Sequence, residues 1–130
     1  KKSVAGIMDE ADFVLLSKVV NHLQSVRQEN WIDIHNLRII KYGDRIHVDC
    51  HATIPWYFNA REVHVELEAI ESEIRKVIPN ALESFIHPDP CEVFSCKNCT
   101  KKSCAERRTP FEEHIIWHLE NVMKNQKHSI

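Results

Sequence analysis

Histidine and cysteine are the residues of this chain whose types and spacing indicate chemistry. The 130 residues include 9 histidines and 5 cysteines. Imidazole nitrogen and thiolate sulfur, together with carboxylate oxygen, are the ligands that proteins offer to zinc and related transition metals. The sequence therefore points to metal sites, and the secondary structure elements that carry these residues decide which of them can meet.

Four of the cysteines fall within residues 91–104, in the spacing C-x4-C-x2-C-x4-C. Four thiols this close in sequence can surround one tetrahedral ion, and without a secretory signal a disulfide framework is disfavoured. We predict a structural or sensing zinc site, with a loop of free thiols and an iron-sulfur cluster as the alternatives. The predicted ligands are Cys91, Cys96, Cys99 and Cys104. Cys50, on an alternating apolar stretch, is predicted to pack as a buried hydrophobic residue.

The periodicity of the apolar residues predicts an α+β domain with the order α-β-β-α-β, a cysteine-rich loop and a last helix. Two helices would then cover one face of a three-stranded sheet. The predicted elements are a helix from Asp9 to about Gln28, a hairpin of Trp31–Tyr42 and Arg45–Ile54, a helix from Asn59 to near Pro79, a strand Ala81–His87 ended by Pro88 and Pro90, and a helix starting at Pro110.

Four histidines and one aspartate stand where these elements could converge. A single histidine on a strand is more commonly a surface or core residue than a ligand, so the hypothesis depends on several of them meeting. A mixed nitrogen and oxygen donor set suits Zn²⁺, with Fe²⁺, Co²⁺, Mn²⁺ or Cd²⁺ as competitors. The candidate ligands are His35, His51, His64, His87 and Asp89.

The register of the hairpin decides whether two of these histidines share a face. A two-residue turn at Gly43-Asp44 pairs His51 with Asn36 and leaves His35 on the other side of the sheet. The apolar phase slips within the first strand, as an inserted residue would cause. We therefore predict a β-bulge between Ile34 and Leu37, which restores His35 to the face of His51.

Several segments, in order, resemble the cytosolic domain of the cation diffusion facilitator, or cation efflux, family over roughly residues 3–91. They are His35-Asn36-Leu37-Arg38, the hairpin ending Asp49-Cys50-His51, Ala60 to Glu71 around His64, and Phe85-Ile86-His87-Pro88-Asp89-Pro90-Cys91. Members of that family are dimeric membrane proteins that export divalent metals in exchange for protons. Their soluble domain has a ferredoxin-like, metallochaperone-like αββαβ fold. The resemblance implies that the four histidines and Asp89 fall on positions that bind regulatory zinc near the dimer interface.

The resemblance also implies a domain organisation and a set of partners. We expect residues 1–8 to be a linker from a membrane domain not in this chain, 9–91 the metal-binding dimerisation domain, 92–109 the cysteine-rich loop and 110–130 the last helix. The chain begins at Lys1 without Met, which fits a piece of a longer protein. The expected partners are a second copy, the membrane domain and divalent metal ions, at the cytoplasmic face of the cell membrane.

Composition bounds the remaining function classes. The chain is 43% hydrophobic and 28% charged with a net charge of −2, which is typical of one folded domain and offers no basic field for nucleic acid. No apolar run reaches the about 20 residues that cross a bilayer, so we expect the isolated domain to be soluble. An enzyme is disfavoured because no nucleophile and base pairing or cofactor motif is present. A freestanding metallochaperone or a thiol redox or metal-storage protein is the alternative.

Overall fold

The computed structural model describes residues 8–130, without the side chains of residues 81 and 82. Most of the expected linker, residues 1–7, lies outside the described residues. The predicted order of helices and strands is confirmed through the third strand. The elements are α1 (Glu10–Val26), β1 (Asp33–Tyr42), β2 (Arg45–Ile54), α2 (Ala60–Val77), β3 (Ala81–Pro90), a 3-10 helix (Val93–Asn98) and α3 (Leu119–Met123).

Both long helices start at the residues that their sequence predicts. The side chain of Asp9 accepts the backbone amide of Asp12, and the side chain of Asp12 accepts the amide of Asp9. Asn59 and Glu62 form the same reciprocal pair at the start of α2. Each pair satisfies amide groups that have no partner within the helix, which stabilises a helix start by about 1 kcal/mol.

The hydrophobic core lies between the two helices and one face of the sheet. Helix α1 contributes Leu16, Val19, Val20 and Leu23, α2 contributes Ile70 and Ile74, and the strands contribute Val48, Cys50 and Ala52 among others. Cys50 is 1% exposed, as predicted, and burial raises the pKa of its thiol to about 12. The alternate residues of the strands, including the candidate ligands, therefore lie on the opposite face of the sheet.

The sheet has the order β1-β2-β3, with β1 and β2 antiparallel and β2 and β3 parallel. The predicted bulge is confirmed, because the register shifts between His35 and Arg38. Asn36 adopts a φ of 53°, and its amide donates to the carbonyl of Lys124 at 2.7 Å instead of to β2. The inserted residue brings His35 directly opposite His51.

Strand β3 runs further than predicted, because it includes Pro88 and Pro90 rather than stopping before them. It is an edge strand, and the amide of the next residue, Cys91, donates to Ile54 of β2. Successive residues of a strand point their amides to opposite sides, so both proline nitrogens face away from β2. The missing N–H groups therefore remove no hydrogen bond from the sheet.

The prediction of a helix starting at Pro110 is wrong, because the last helix contains only Leu119–Met123. Backbone groups of residues 112–117 bond to other parts of the molecule. The amides of Glu112 and Glu113 donate to Lys97, and the amide of Trp117 donates to the side chain of Gln24. Arg27 donates to the carbonyl of Ile115 and lies 3.9 Å from the Trp117 ring centre. Tertiary contacts thus replace the helical hydrogen bonds that the periodicity favoured.

Across residues 8–130, none of the helices combines the length and the apolar character that crossing a lipid bilayer demands.

The bulge at Asn36 yields a test of the fold. Asn36→Val should lower the free energy of unfolding by about 1–2 kcal/mol, because a β-branched residue is strained at positive φ. Urea unfolding measures the change. Asn36→Gly is the matched control, since glycine tolerates this conformation and retains the amide. Equal stability of the valine and glycine variants would contradict the left-handed conformation.

Candidate metal centre

A row of three histidines crosses the sheet on the face opposite the helices. His35 of β1 is paired with His51 of β2, which is paired with His87 of β3. The rings of His35 and His51 stack with centres 5.1 Å apart, and those of His51 and His87 with centres 4.8 Å apart. Pairing across neighbouring strands thus brings together residues that are far apart in sequence.

Asp89 lies against this row and forms, together with His35 and His51, a group of three potential ligands. Its Oδ2 is 3.1 Å from Nε2 of His35 and 3.1 Å from Nδ1 of His51. Each of these three residues offers one ligand atom, and the three atoms lie within 4.8 Å of one another. Within residues 8–130, this is the group of histidine, cysteine or carboxylate ligand atoms that lies so close together. Small side-chain movements would allow two nitrogens and one oxygen to reach the about 2.0–2.2 Å bonds of zinc.

Asp33 fixes the orientation of the His35 ring through Nδ1, the ring nitrogen that does not face Asp89. Its Oδ1 lies 2.7 Å from Nδ1 of His35 and also accepts the hydroxyl of Thr53 at 2.8 Å. Burial opposes ionisation of Asp33, but the hydrogen bond from His35 and the nearby His128 hold its pKa below its usual value. An ionised carboxylate has no proton to give, so Nδ1 of His35 is the donor. Nε2 of His35 then faces Oδ2 of Asp89.

That arrangement sets two lone pairs against each other unless a cation lies between them. When His35 carries a proton only on Nδ1, its Nε2 and the carboxylate of Asp89 are both acceptors, at a separation of 3.1 Å. Either a proton or a metal ion satisfies both. A carboxylate behind the other nitrogen of a metal-binding histidine is the usual arrangement for fixing its orientation.

The end of the chain covers this buried part of the site. The amide of His128 donates to Oδ2 of Asp33 at 3.0 Å, and Asn98 donates to the carbonyl of His128. As a result Asp33 is 1% and His35 is 4% exposed, although both lie on the face away from the helices. Sequence reasoning missed Asp33 and His128. For Asp33 the sequence did offer a signal. Asp33 and His35 are two residues apart, which places them on the same face of a strand.

The other two predicted imidazole ligands lie outside the group of three. His87 stacks on His51 and is exposed to solvent, so it is adjacent to the group without belonging to it. His64 is on α2, which packs against the other face of the sheet. Its ring contacts Glu68 at 3.3 Å, and its side chain is 70% exposed. The structure therefore brings together His35, His51 and Asp89, and leaves His64 apart.

The four clustered cysteines are found at a different place, around a cavity beside the turn that follows β2. All are free thiols. Burial raises the pKa of Cys91 and Cys99. Burial also opposes ionisation of Cys96, but hydrogen bonds from the amides of Arg108 and Thr109 lower its pKa. The chain thus presents two separate sets of potential ligands.

These features define a class of protein. It is a ferredoxin-like α+β domain that carries a group of histidine and aspartate side chains on the sheet face away from the helices. The sequence matches the family described as cation efflux protein, cytoplasmic domain, over residues 11–91. This chain belongs to that family. Comparison with curated proteins finds no match.

Solved structures share the fold at low sequence identity. The metal-bound C-terminal domain of the CzcD transporter from Thermotoga maritima has a TM-score of 0.55 and 17% identity, with 64% of this chain and 94% of that chain covered. CzrB, named as a candidate zinc transporter, has a TM-score of 0.54 and 18% identity over 67% of this chain and all of its own, 100%. The copper form of the MamM C-terminal domain has a TM-score of 0.53 and 13% identity over 85% and 94%. Variants of MamM have structures in zinc and manganese forms.

The role of Asp33 can be tested by removing its charge. Asp33→Asn should weaken metal binding at His35, His51 and Asp89 by about tenfold to hundredfold, as is typical for the partner behind a ligand histidine. Competition against a chelating dye measures the dissociation constant.

Asp49→Asn is the matched control for that variant. Asp49 lies on the same face of the sheet, contacts Arg38 at 3.6 Å and is outside the group of three. We expect its affinity to remain near that of the unchanged chain. An equal loss in both variants would show that net charge, rather than orientation of His35, controls binding.

Proposed function

We propose that this chain is the cytoplasmic regulatory domain of a proton-coupled exporter of divalent metals, and that metal binding favours association of two copies. The observation that carries the proposal is the meeting of His35, His51 and Asp89 on the face of the sheet that the helices leave open. The membrane domain of the same transporter would hold the chain at the cytoplasmic face of the cell membrane. The metal bound here is a signal rather than the transported ion itself.

Zinc is the ion that we assign to this site. Two imidazoles and one carboxylate match the ligands that zinc prefers. Tetrahedral zinc takes four ligands, so a fourth position remains for water, for His87 or for a residue of a second copy. The same ligands accept Fe²⁺, Co²⁺, Mn²⁺ and Cd²⁺. The zinc, copper and manganese forms of the MamM domain and its variants support a site of limited selectivity.

An exposed aromatic surface beside the ligands supports association through this face. Tyr42 is 58% and Phe85 is 60% exposed. The ring of His47 lies between them, 6.3 Å from Tyr42 and 5.3 Å from Phe85, and Phe85 also contacts His87. Exposed aromatic side chains of this size are typical of the centres of protein interfaces. We assign a second copy of this chain as the partner.

The charges on this face explain why association would depend on metal. Asp89 is a carboxylate of the open face without an Arg or Lys partner in the ion pairs of the described residues, and a facing copy would bring the same group opposite it. A bound cation offsets that repulsion and is bound more tightly by the associated form, so metal shifts the population towards it. To change the population from mostly separate copies to mostly associated copies, the metal must bind the associated form more favourably by about 3–5 kcal/mol.

A catalytic role is not part of this proposal. Asp89 is a metal ligand in it, and Asp33 is engaged by His35, Thr53 and His128. Neither carboxylate is left to act as a general base on metal-bound water. A freestanding metallochaperone or a thiol redox protein, the alternative function, would remain monomeric when zinc is added.

Sedimentation with and without zinc tests the proposal. Zinc should tighten the dimer of the unchanged chain by at least about tenfold, equivalent to about 1.4 kcal/mol. His51→Ala combined with Asp89→Ala should abolish the zinc dependence, because two of three ligands are lost.

His22→Ala is the matched control, since His22 is paired with Glu73 on the helical side of the molecule. It should retain the full response to zinc. A chain that stays monomeric at all zinc concentrations, while still binding the metal, would overturn the proposed regulatory role.

A further inference from the structure

The four clustered cysteines converge on one cavity although they belong to different segments. The cavity has a volume of about 140 Å³ and is also lined by Trp56 and Tyr57, from the turn after β2, and by Arg107. Cys91 directly follows β3, Cys96 lies in the 3-10 helix, and the remaining two lie in the loop beyond it. Folding thus gathers thiols from three local structures around a single space.

Three of the four sulfur atoms accept a hydrogen bond. The donors are the amide of Trp56 to Cys91 at 3.4 Å, the amide of Arg108 to Cys96 at 3.5 Å, and the hydroxyl of Tyr57 to Cys104 at 3.4 Å. A neutral thiol is a weak acceptor, whereas an ionised sulfur accepts strongly. Donors directed at three of the sulfurs would therefore stabilise thiolates once a metal ion offsets the cost of burying their charge.

Arg107 holds the loop around this space and supplies a positive charge. Its guanidinium donates to the carbonyls of Cys96 at 2.7 Å and Cys99 at 2.6 Å, and also to those of Lys101 and Thr109. One side chain thus fixes the backbone at two of the four cysteines. The loop keeps its shape through these bonds, and the charge of Arg107 offsets part of the negative charge that thiolates would bring.

We propose that Cys91, Cys96, Cys99 and Cys104 bind one zinc ion as a tetrathiolate, at a second metal site distinct from the histidine site. Four thiolates around a d¹⁰ ion form the closed tetrahedral arrangement of structural zinc sites, with Zn–S bonds of about 2.3 Å. Four cysteines around one cavity, three of them with hydrogen-bonded sulfurs, and a neighbouring guanidinium match that requirement. Within the described residues no three of these sulfurs lie within 4.8 Å of one another, so their side chains must turn inward before one ion can contact all four.

The zinc tetrathiolate secures the C-terminal part of the chain on the sheet. Asn98, within the cysteine loop, is 2% exposed and donates to the carbonyl of His128 at 3.3 Å. His128 in turn donates to Asp33, which orients His35. Loss of zinc from the thiols therefore weakens the contacts through which His128 and Asp33 orient His35. This last step rests on the proposed function, whereas the tetrathiolate itself does not.

Metal content under reducing conditions tests the thiol site. The chain, purified with a thiol reductant and treated briefly with a mild chelator, should retain one tightly bound zinc ion. Cys96→Ser with Cys99→Ser should lose it, and Cys50→Ala, the matched cysteine control, should keep it. His51→Ala with Asp89→Ala should also keep it, which separates failure of this inference from failure of the histidine site.

Cobalt substitution gives an independent measurement on the unchanged chain. Co²⁺ replacing the zinc should show strong tetrahedral d–d bands and sulfur-to-cobalt charge transfer, and X-ray absorption of the zinc form should show four sulfur neighbours. These results do not require a variant to fold. Zinc content unaffected by the serine substitutions, iron with inorganic sulfide in the chain, or a stable disulfide in place of the metal would each overturn the inference.

Discussion

One inserted residue in β1 determines whether His35 and His51 lie on the same face of the sheet. Because side chains alternate along a strand, a regular hairpin would turn His35 away from His51, and no rotation of either side chain could correct this. Asn36 absorbs the extra residue in a left-handed conformation, with its amide bonded to Lys124. The pairing of His35 with His51 and the contact of His35 with Asp89 both follow from that local change in register.

Asp33 connects the site to the rest of the chain. Its two oxygens accept from the ring of His35, from the hydroxyl of Thr53 on the neighbouring strand and from the backbone amide of His128. A carboxylate that is 1% exposed must have such partners, because an unpaired buried charge is costly. The residues after β3 are therefore part of the structure that supports the site, although they lie beyond residues 11–91 that define the family.

The sequence predicted the parts of this molecule that depend on local pattern. Alternation and periodicity located α1, the hairpin and α2, and the slip in apolar phase located the bulge before Leu37. Two predictions failed where a residue's surroundings decided the outcome. Pro88 lies within β3 because its nitrogen faces the open edge, and Pro110 starts no helix because the following amides bond to Lys97. The part played by His128 depends on the path of the whole chain, which no local pattern encodes.

The same contacts leave the sheet with little opportunity to be extended by another strand. On one side the backbone of Lys124 occupies the amide of Asn36 at the bulge of β1. On the other side the outward positions of β3 include two prolines, which have no hydrogen to donate. Unprotected strand edges recruit further strands and promote aggregation. Strand addition is therefore obstructed at these points of both margins, which favours the sheet face, rather than a strand edge, as the contact surface for the proposed second copy.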